Sequence, residues 1–474
     1  MVNRGKVKWN ALRDLLIRND QDHVVPFFEN LGEDRHSELL AQLESIDFSQ
    51  LRREVLRLRR PSCDGSRLRP ATCIPLPGTT TEKARWKQAW VDGETVLRRG
   101  EVAVITVAGG QGTRLGFDRP KGFFPITPVK GKSLFQLFAE KIRAGECRYG
   151  CTVPWLILTG PDHLEETKAF FVEQKNFGLR EVYIFAQGQL PTIDMDGKLI
   201  LSAKDSVAMH PDGHGGLLCA LEKIGLLQTL RLPRIRHFSY FQVDNPLASP
   251  LDPYFIGFHT GMEAQVSSRC VRKNFPGEKV GVFVESEDRT RVMEYSDLPP
   301  ECAMATDVSG RLHFGLANVA IHLFEANFLE HFCQAGRSNS LPLHISLRKV
   351  PYINAAAHLV RPVEINAIKL ERFIFDLLPQ AECAVLLEGR REEIFSPVKN
   401  SAGLDSVETS KRDQTRQFAD WLARGKVDLI RDAGGTPPFF LEIAPSFAVS
   451  CEEFLEKWMQ LEKKPAVGAN FYLE

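Results

Sequence analysis

The segment that decides the fold is VITVAGGQGTRLGFDRPK, which spans residues 104–121. A run of β-branched residues ends directly in a loop with three glycines, Gly109, Gly110 and Gly112. Because glycine has no side chain, the backbone N–H groups of such a loop can approach and surround an anionic phosphate chain. The segment therefore predicts a buried strand that is followed by a phosphate-binding loop.

Two familiar glycine-rich loops do not fit this segment. A P-loop requires Gly-Lys-Ser/Thr directly before its helix, and that sequence is absent here. A dinucleotide-binding loop requires G-x-G-x-x-G leading straight into a helix, and Gly110, Gly112 and Gly116 do not have that spacing. The loop leads instead to a Pro-Lys pair, so that Arg114 and Lys121 are placed to neutralise phosphate charge as it develops.

Length and composition are those of an ordinary globular protein with about two to three domains. The 474 residues include 60 basic and 60 acidic side chains, and 43% of the residues are apolar. This balanced charge predicts neither a nucleic acid nor a membrane as a partner. The ten cysteines are scattered without a C-x-x-C pair, and no signal peptide or long apolar run is evident, so we expect a cytoplasmic protein with free thiols.

The order of predicted elements divides the chain into three parts. Residues 1–98 form a predicted helical N-terminal region, because helical periodicity runs from residue 7 to about 60 and resumes at residue 83 after a proline-containing linker. From residue 99 to residue 376, short β-rich runs alternate with helical patterns, which indicates an α/β catalytic domain with a parallel sheet covered by helices. The alternation weakens over residues 377–474, which we predict to form a small C-terminal domain.

Further motifs follow the glycine-rich loop in a fixed order along the chain. They are QGQLP (187–191), DGK (196–198), PDGHGG (211–216), FQVDN (241–245), MEYS (293–296), LANVA (316–320), IKLERFIFD (368–376) and FSPVKN (395–400). Together with the loop, they resemble the signature of the eukaryotic-type UDP-sugar pyrophosphorylases over about residues 80–402. The resemblance implies a Rossmann-like, GT-A-like nucleotidyltransferase fold with a central mixed sheet flanked by helices.

The last two motifs are most similar to the UDP-N-acetylglucosamine pyrophosphorylase branch, whereas two positions depart from it. His214 stands where that branch normally has asparagine, as in the UDP-glucose branch, and Ala317 replaces the glycine of a Gly-Asn element. The implied reaction joins UTP to a sugar 1-phosphate with Mg²⁺ as cofactor, most closely to N-acetylglucosamine 1-phosphate. The alternatives are a UDP-glucose or UDP-galactose pyrophosphorylase and a non-catalytic sugar-nucleotide sensor; a nicotinamide-linked oxidoreductase conflicts with the glycine spacing.

The resemblance also implies roles for individual residues. Arg114, Lys121 and Lys399 would be catalytic, and Glu294 and Asn318 would recognise the sugar. The nucleotide would be bound by Gly109, Gly110, Gln111, Gly112, Gln187, Gly213 and His214. Taken alone, Lys399 also fits a solvated loop, and Glu294 and Asn318 fit ordinary polar positions of a strand.

Asp244 is the candidate metal ligand. It ends an apolar strand, at the sheet edge where open α/β sheets bind ligands, and a carboxylate there suits Mg²⁺ with phosphate oxygens and water. On position alone, a turn-capping role before Asn245 and Pro246 fits equally well. The motifs around it favour the metal site.

Overall fold

In a computed structural model of the chain, the glycine-rich loop leaves the central strand of a mixed sheet. The structure describes residues 2–32, 35–58, 68–225, 227, 234–334 and 336–474. The chain forms two compact units. Unit 1 comprises Met1–Asp64, Gln187–Cys219 and Asn339–Ile374, and unit 2 comprises Gly65–Ala186, Ala220–Ser338 and Phe375–Glu474. The three-part division along the sequence stays a prediction.

The sheet of unit 2 confirms the predicted α/β class. Four neighbouring strands run parallel, in the order His237–Gln242, Val102–Val107, Trp155–Thr159 and Val182–Ala186. Antiparallel strands extend the sheet beyond them through Leu316–Glu325, Val282–Ser286 and Arg69–Pro70, with Val266–Arg272, Arg289–Met293 and Ala384–Glu388 also paired to it. The strand that precedes the glycine-rich loop is buried over five of its six residues, as expected for a strand covered on both faces.

Helices cover this sheet, and unit 2 also contains a second, smaller hydrophobic core. The α-helices are Thr80–Arg98, Leu134–Tyr149, Leu164–Glu173, Pro253–Gly261, Pro300–Met304, Ala326–Phe332, Arg391–Ile394, Val407–Arg424 and Cys451–Gln460. The 3₁₀ turns are Thr113–Leu115, Lys121–Phe123, Pro161–His163 and Lys175–Gly178. Strands Leu441–Ile443 and Phe471–Leu473 pair in parallel and pack with the last two helices around buried Phe454 and Trp458.

Unit 1 assembles three distant segments of the chain around one core. The helices Val2–Arg18, Val25–Glu29, His36–Glu44 and Phe48–Leu58 contribute residues such as Leu16 and Leu39, which pack with Ile193 and Ile368. The strands Leu343–Arg348, Ala367–Arg372 and Ile193–Asp194 form an antiparallel sheet. Shorter pairs join Gln189–Pro191 to Met209–Pro211, Leu201–Ala203 to Ser206–Val207 and Tyr352–Ile353 to Leu359–Val360.

Four further helical segments belong to the described part of the chain. Asp22–Val24 and His214–Gly216 are 3₁₀ turns of unit 1, whereas Leu217–Ile224 and Ile374–Gln380 contain unit boundaries. Across the described ranges, no helix combines the length and the apolar content that crossing a bilayer requires.

Candidate active site

The glycine-rich loop closes on itself directly after the strand Val102–Val107. The N–H of Gly112 donates to the carbonyl of Arg119 at 3.0 Å, and the N–H of Lys121 donates to the carbonyl of Gly110 at 3.1 Å. A Cβ on Gly112 would lie 2.6 Å from the carbonyl oxygen of Phe117, so only glycine permits this closure. The loop thereby brings Lys121 back beside its exposed glycine, Gly110.

Arg114 lies on the 3₁₀ turn Thr113–Leu115 within the same loop and is exposed. It forms no ion pair with any residue that the structure describes. Gln111 is likewise exposed, whereas Gly112 is buried. The loop therefore presents the exposed Arg114 and an exposed stretch of backbone, which a phosphate chain could use.

Asp244 lies at the same edge of the sheet as the glycine-rich loop. It follows the strand His237–Gln242, which runs parallel to Val102–Val107, and the N–H of Val243 donates to the carbonyl of Val107 at 3.0 Å. The carboxyl ends of neighbouring parallel strands meet at one edge, where such sheets bind ligands. The predicted metal ligand and the predicted phosphate loop are therefore adjacent.

Two lysines act on this aspartate. Nζ of Lys121 donates to Oδ2 of Asp244 at 2.9 Å, and each of the two side chains is 15% exposed. Burial raises the pKa of Asp244, but the charges of Lys121 and Lys399 outweigh burial and hold that pKa below its ordinary value. Asp244 is therefore ionised at neutral pH.

Asn245, which directly follows Asp244, anchors the loop that carries Lys399 through hydrogen bonds to its backbone. Asn245 is 3% exposed, and its Nδ2 donates to the carbonyl of Ile394 at 2.8 Å while its Oδ1 accepts from the N–H of Ser396 at 3.0 Å. The N–H of Val398 donates to the carbonyl of Asp244 at 2.8 Å. An Asn before proline suggests only a turn, so this anchoring role was not predictable from local sequence.

The donor set around Asp244 fits a magnesium ion that arrives with a nucleotide. Within the described ranges, no group of three His, Cys, Asp or Glu side chains could hold a metal by itself. Mg²⁺ commonly takes one or two carboxylates and completes its shell with water and substrate phosphates. A single ionised carboxylate beside a phosphate loop suits that mode of binding, whereas a preformed protein cage would require more ligands.

Glu294 and Asn318, the predicted sugar-binding residues, both lie around Gly281 in unit 2. Glu294 follows the strand Arg289–Met293, and a Cβ on Gly281 would lie 3.2 Å from its Oε1. The N–H of Asn318 donates to the carbonyl of Gly281 at 2.8 Å. The side-chain oxygen of Asn318 accepts from the N–H of Ala320, which has a left-handed φ of 54°. Part of the hydrogen-bonding capacity of Asn318 thus supports the backbone.

Gln187 and Gly213, two predicted nucleotide-binding residues, are in contact within unit 1. Gln187 is 7% exposed, and its Nε2 lies 3.4 Å from both the carbonyl oxygen of Gly213 and Oδ1 of Asp212. Gly213 has a φ of 84°, and a Cβ there would overlap the carbonyl oxygen of Arg372. Glycine is therefore required at this position on both conformational and steric grounds.

Asp212 and Arg372 form a buried ion pair next to these residues, and neither was predicted as a site residue. Nη1 of Arg372 lies 3.8 Å from Oδ2 of Asp212, its Nη2 donates to Oε1 of Gln50 at 3.0 Å, and its N–H donates to the carbonyl of Asp212 at 2.8 Å. Burial raises the pKa of Asp212 to about 6, although Arg372 and Gln187 both oppose that rise. Asp212 lies in the motif at residues 211–216, and Arg372 lies in the motif at residues 368–376. Their place in these motifs was the only sequence signal that could have identified them as site residues.

His214 is a neutral imidazole. Its Nδ1 accepts a hydrogen bond from the N–H of Ile374 at 3.1 Å, which places the ring proton on Nε2. Its ring stacks on Phe373 with centroids 5.0 Å apart. Burial, with the nearby His344, lowers the pKa of His214 to about 3. The side chain thus carries its ring proton on Nε2 and no charge.

Comparisons with known proteins identify relatives along most of the chain. Residues 66–416 match the family UTP–glucose-1-phosphate uridylyltransferase. The chain is 34% identical to UDP-N-acetylhexosamine pyrophosphorylase-like protein 1 of Homo sapiens, over 95% of this chain and 94% of that protein. It is also 34% identical to UDP-N-acetylglucosamine pyrophosphorylase of Saccharomyces cerevisiae, over 86% and 90% of the two chains. The crystal structure of uridine diphosphate N-acetylglucosamine pyrophosphorylase from Trypanosoma brucei, in complex with an inhibitor, superposes with a TM-score of 0.80 at 28% identity over 98% of each chain.

Proposed function

The chain belongs to the UDP-sugar pyrophosphorylase family, and on that premise we propose that it joins UTP to N-acetylglucosamine 1-phosphate, forming UDP-N-acetylglucosamine and pyrophosphate. It is a nucleotidyltransferase. The observation that most supports this function is the cluster of Lys121, Asp244 and Lys399, which lies at the carboxyl edge of the sheet beside the glycine-rich loop.

The reaction requires positioning and charge stabilisation rather than a protein nucleophile. A phosphate oxygen of the sugar 1-phosphate attacks the α-phosphorus of UTP, and the bond from that phosphorus to the bridging oxygen breaks as pyrophosphate leaves. The backbone of Gly109–Gly112 would hold the triphosphate, and the exposed Arg114 would balance its charge. Lys121 would bridge the α-phosphate and the leaving pyrophosphate, where preorganised charge lowers the barrier.

We propose Mg²⁺ as the cofactor and Asp244 as the residue that holds it. Bound magnesium would neutralise phosphate charge, as in other phosphoryl-transfer sites. Lys121 and Lys399 keep the Asp244 carboxylate ionised, which a hard cation requires of its ligand. Lys399 would add a second cation toward the phosphates.

The substrate-recognition roles are also proposals. Gln187 and Gly213 would contact the uracil side of the nucleotide, whereas Glu294 and Asn318 would contact sugar hydroxyl or acetamido groups. His214 would contact the nucleotide or the sugar phosphate. A cytoplasmic location belongs to the same proposal.

One observation favours a second substrate. His214 replaces an asparagine that is normal in the acetylhexosamine branch, and its neutral ring is bulkier than an amide. A preference for glucose or galactose 1-phosphate would follow if that ring excludes the acetamido group.

The test is pyrophosphate release from UTP and Mg²⁺ with N-acetylglucosamine, glucose and galactose 1-phosphates offered separately. We expect the highest kcat/KM with N-acetylglucosamine 1-phosphate. A higher value with either other sugar would assign the chain to the UDP-glucose or UDP-galactose alternative. No release with any of the three would contradict the enzymatic proposal.

A further inference from the structure

Asp212 and Arg372 form an ion pair that is almost completely buried within unit 1. The two residues are 2% and 3% exposed, and their closest charged atoms are 3.8 Å apart rather than at hydrogen-bond distance. A buried ion pair is often no more stabilising than apolar side chains of similar volume, because both charges lose their hydration. The pair therefore calls for a role other than stability.

The backbone of Gly188 and Gly216 packs closely against the carboxylate of Asp212. A Cβ on Gly216 would overlap this carboxylate, and a Cβ on Gly188 would lie 2.7 Å from its Oδ2. The N–H of Asp212 donates to the carbonyl of Gly188 at 3.1 Å, which ties it to the residue directly after Gln187. The main chain of Arg372 holds the other side of Asp212 through its N–H. The carboxylate thus has little freedom to move relative to Gln187.

This fixed carboxylate determines which way the Gln187 amide points. The two atoms that face one end of that amide, Oδ1 of Asp212 and the carbonyl oxygen of Gly213, are both acceptors. Only the NH₂ group can face them, because the amide oxygen would meet two oxygens without a proton between them. Oε1 of Gln187 is therefore turned away from Asp212.

The direction of a glutamine amide distinguishes uracil from cytosine. Uracil presents an N3–H donor, whereas cytosine presents an N3 acceptor beside an amino group. If Oε1 of Gln187 faces the base, it accepts a hydrogen bond from the N3–H of uracil, whereas with cytosine it would meet the lone pair of N3. A flipped amide would match cytosine instead.

We propose that Asp212 and Arg372 are positioning residues that lock the Gln187 amide with its oxygen outward and so select uracil over cytosine. This inference rests on the proposed function only in that Gln187 contacts the base. Arg372 acts indirectly, because its charge favours the ionised form of Asp212, which accepts a hydrogen bond from the NH₂ group of Gln187. A protonated Asp212 could instead donate to the amide oxygen of Gln187, so that the amide could turn over.

The test compares binding of UTP and CTP by calorimetry, which does not depend on turnover. The variants are Gln187→Ala, Asp212→Asn, Arg372→Met and Arg372→Lys. We expect the wild type to bind UTP more tightly, and the UTP preference to fall about tenfold or more in the first three variants, since an amide that can turn no longer rejects cytosine. Arg372→Lys keeps the charge and should retain part of the preference.

Arg269→Met is the matched control. Arg269 is also a buried arginine, 7% exposed, and its Nη2 lies 3.7 Å from Oδ2 of Asp252 in unit 2. Its replacement should lower the melting temperature and leave the UTP to CTP ratio unchanged. A purely structural role for Arg372 would give the same result as this control.

The inference is overturned if folded Arg372→Met keeps the wild-type ratio, if Gln187→Ala keeps it, or if the wild type does not discriminate. Should Arg372→Met fail to fold, Gln50→Ala, which removes the acceptor of Nη2, takes its place: the UTP preference should fall, and a folded Gln50→Ala variant with the wild-type ratio overturns the inference. Selective UTP binding without formation of any UDP-sugar would contradict the proposed function and leave this inference standing.

Discussion

Two aspartates, Asp244 in unit 2 and Asp212 in unit 1, each lie beside a basic side chain, yet their pKa values move in opposite directions. Asp244 is 15% exposed, has the Nζ of Lys121 at 2.9 Å and is also acted on by Lys399, and its pKa is lowered. Asp212 is 2% exposed, its guanidinium partner is 3.8 Å away, and its pKa is raised to about 6. The difference shows that a partner of opposite charge does not by itself fix the ionisation of a carboxylate.

Contact distance and the number of cations decide the balance. Burial raises the pKa of both carboxylates; two lysines outweigh it at Asp244, whereas one more distant guanidinium does not outweigh it at Asp212. The first arrangement suits a ligand for a cation and phosphates. The second suits a carboxylate whose task is to hold neighbouring groups in place.

The largest expected effect comes from breaking the cluster at Asp244. Lys121→Met and Asp244→Asn should each lower kcat by about a hundred- to thousandfold, because each removes a charge that is placed for the transition state. The measurement is steady-state pyrophosphate release. Lys168→Met is the control, because Lys168 forms an exposed ion pair with Glu165 at 2.9 Å and should not affect turnover. Comparable losses in all three variants would contradict a specific role for the cluster.

Replacing Asn245 should weaken the attachment of the Lys399 loop beside Asp244 without removing any charge from the cluster. Asn245→Ala should cost about 1–3 kcal/mol of unfolding free energy and lower kcat about tenfold, because the Lys399 loop loses two buried hydrogen bonds. Denaturant unfolding and turnover measure the two effects.

Asn366→Ala is the matched control for this variant. The amide of Asn366 also bridges a backbone, since it accepts from the N–H of Val350 at 2.8 Å and donates to its carbonyl at 2.9 Å. It should destabilise the protein by a similar amount with kcat unchanged. Equal losses of turnover in both variants would show that the Asn245 effect is only one of stability.

The opposite pKa shifts predict opposite behaviour with pH. A folded pKa of about 6 for Asp212, against 3.8 ordinarily, means that the folded state binds its proton more tightly, so this group contributes stability below about pH 4 and loses it as pH rises through about 6. The full difference corresponds to about 3 kcal/mol. The unfolding free energy of the wild type minus that of Asp212→Asn should therefore fall between pH 4 and pH 6.

Asp244→Asn sharpens this comparison. Because the folded pKa of Asp244 lies below 3.8, its carboxyl is largely ionised in both states above pH 4, and its stabilising effect is lost only as pH falls below that value. The wild-type minus Asp244→Asn difference should be nearly flat between pH 4 and pH 6. A flat difference for Asp212→Asn as well would contradict the raised pKa.

The smallest expected effect concerns His214. His214→Asn should raise the kcat/KM ratio of N-acetylglucosamine 1-phosphate over glucose 1-phosphate by about threefold to tenfold, the range in which one modest pocket contact discriminates. His344→Asn is the control, because His344 stacks on the same Phe373 with centroids 4.4 Å apart. An equal change in both variants would assign the effect to the ring stack rather than to His214.

Local signals predicted the fold class, and they predicted that the glycine-rich loop and Asp244 lie at one edge of the sheet. The glycine-rich loop and the strand before Asp244 were predictable because adjacent residues encode them, and parallel strands then bring their carboxyl ends together. Unit 1 was not predictable, because it joins the N-terminal helices to residues 187–219 and 339–374. For the same reason the pairing of Asp212 with Arg372, 160 residues later, left no periodic signal.

The most direct test of the catalytic claim is the reverse reaction. Wild-type protein and Asp244→Asn would be mixed with UDP-N-acetylglucosamine, pyrophosphate and Mg²⁺, and UTP formation would be followed by chromatography. The account predicts that the wild type forms UTP and that the variant does so about a hundredfold or more slowly. Tight binding of UDP-N-acetylglucosamine without any UTP would contradict it and identify the protein as a sensor of sugar nucleotides.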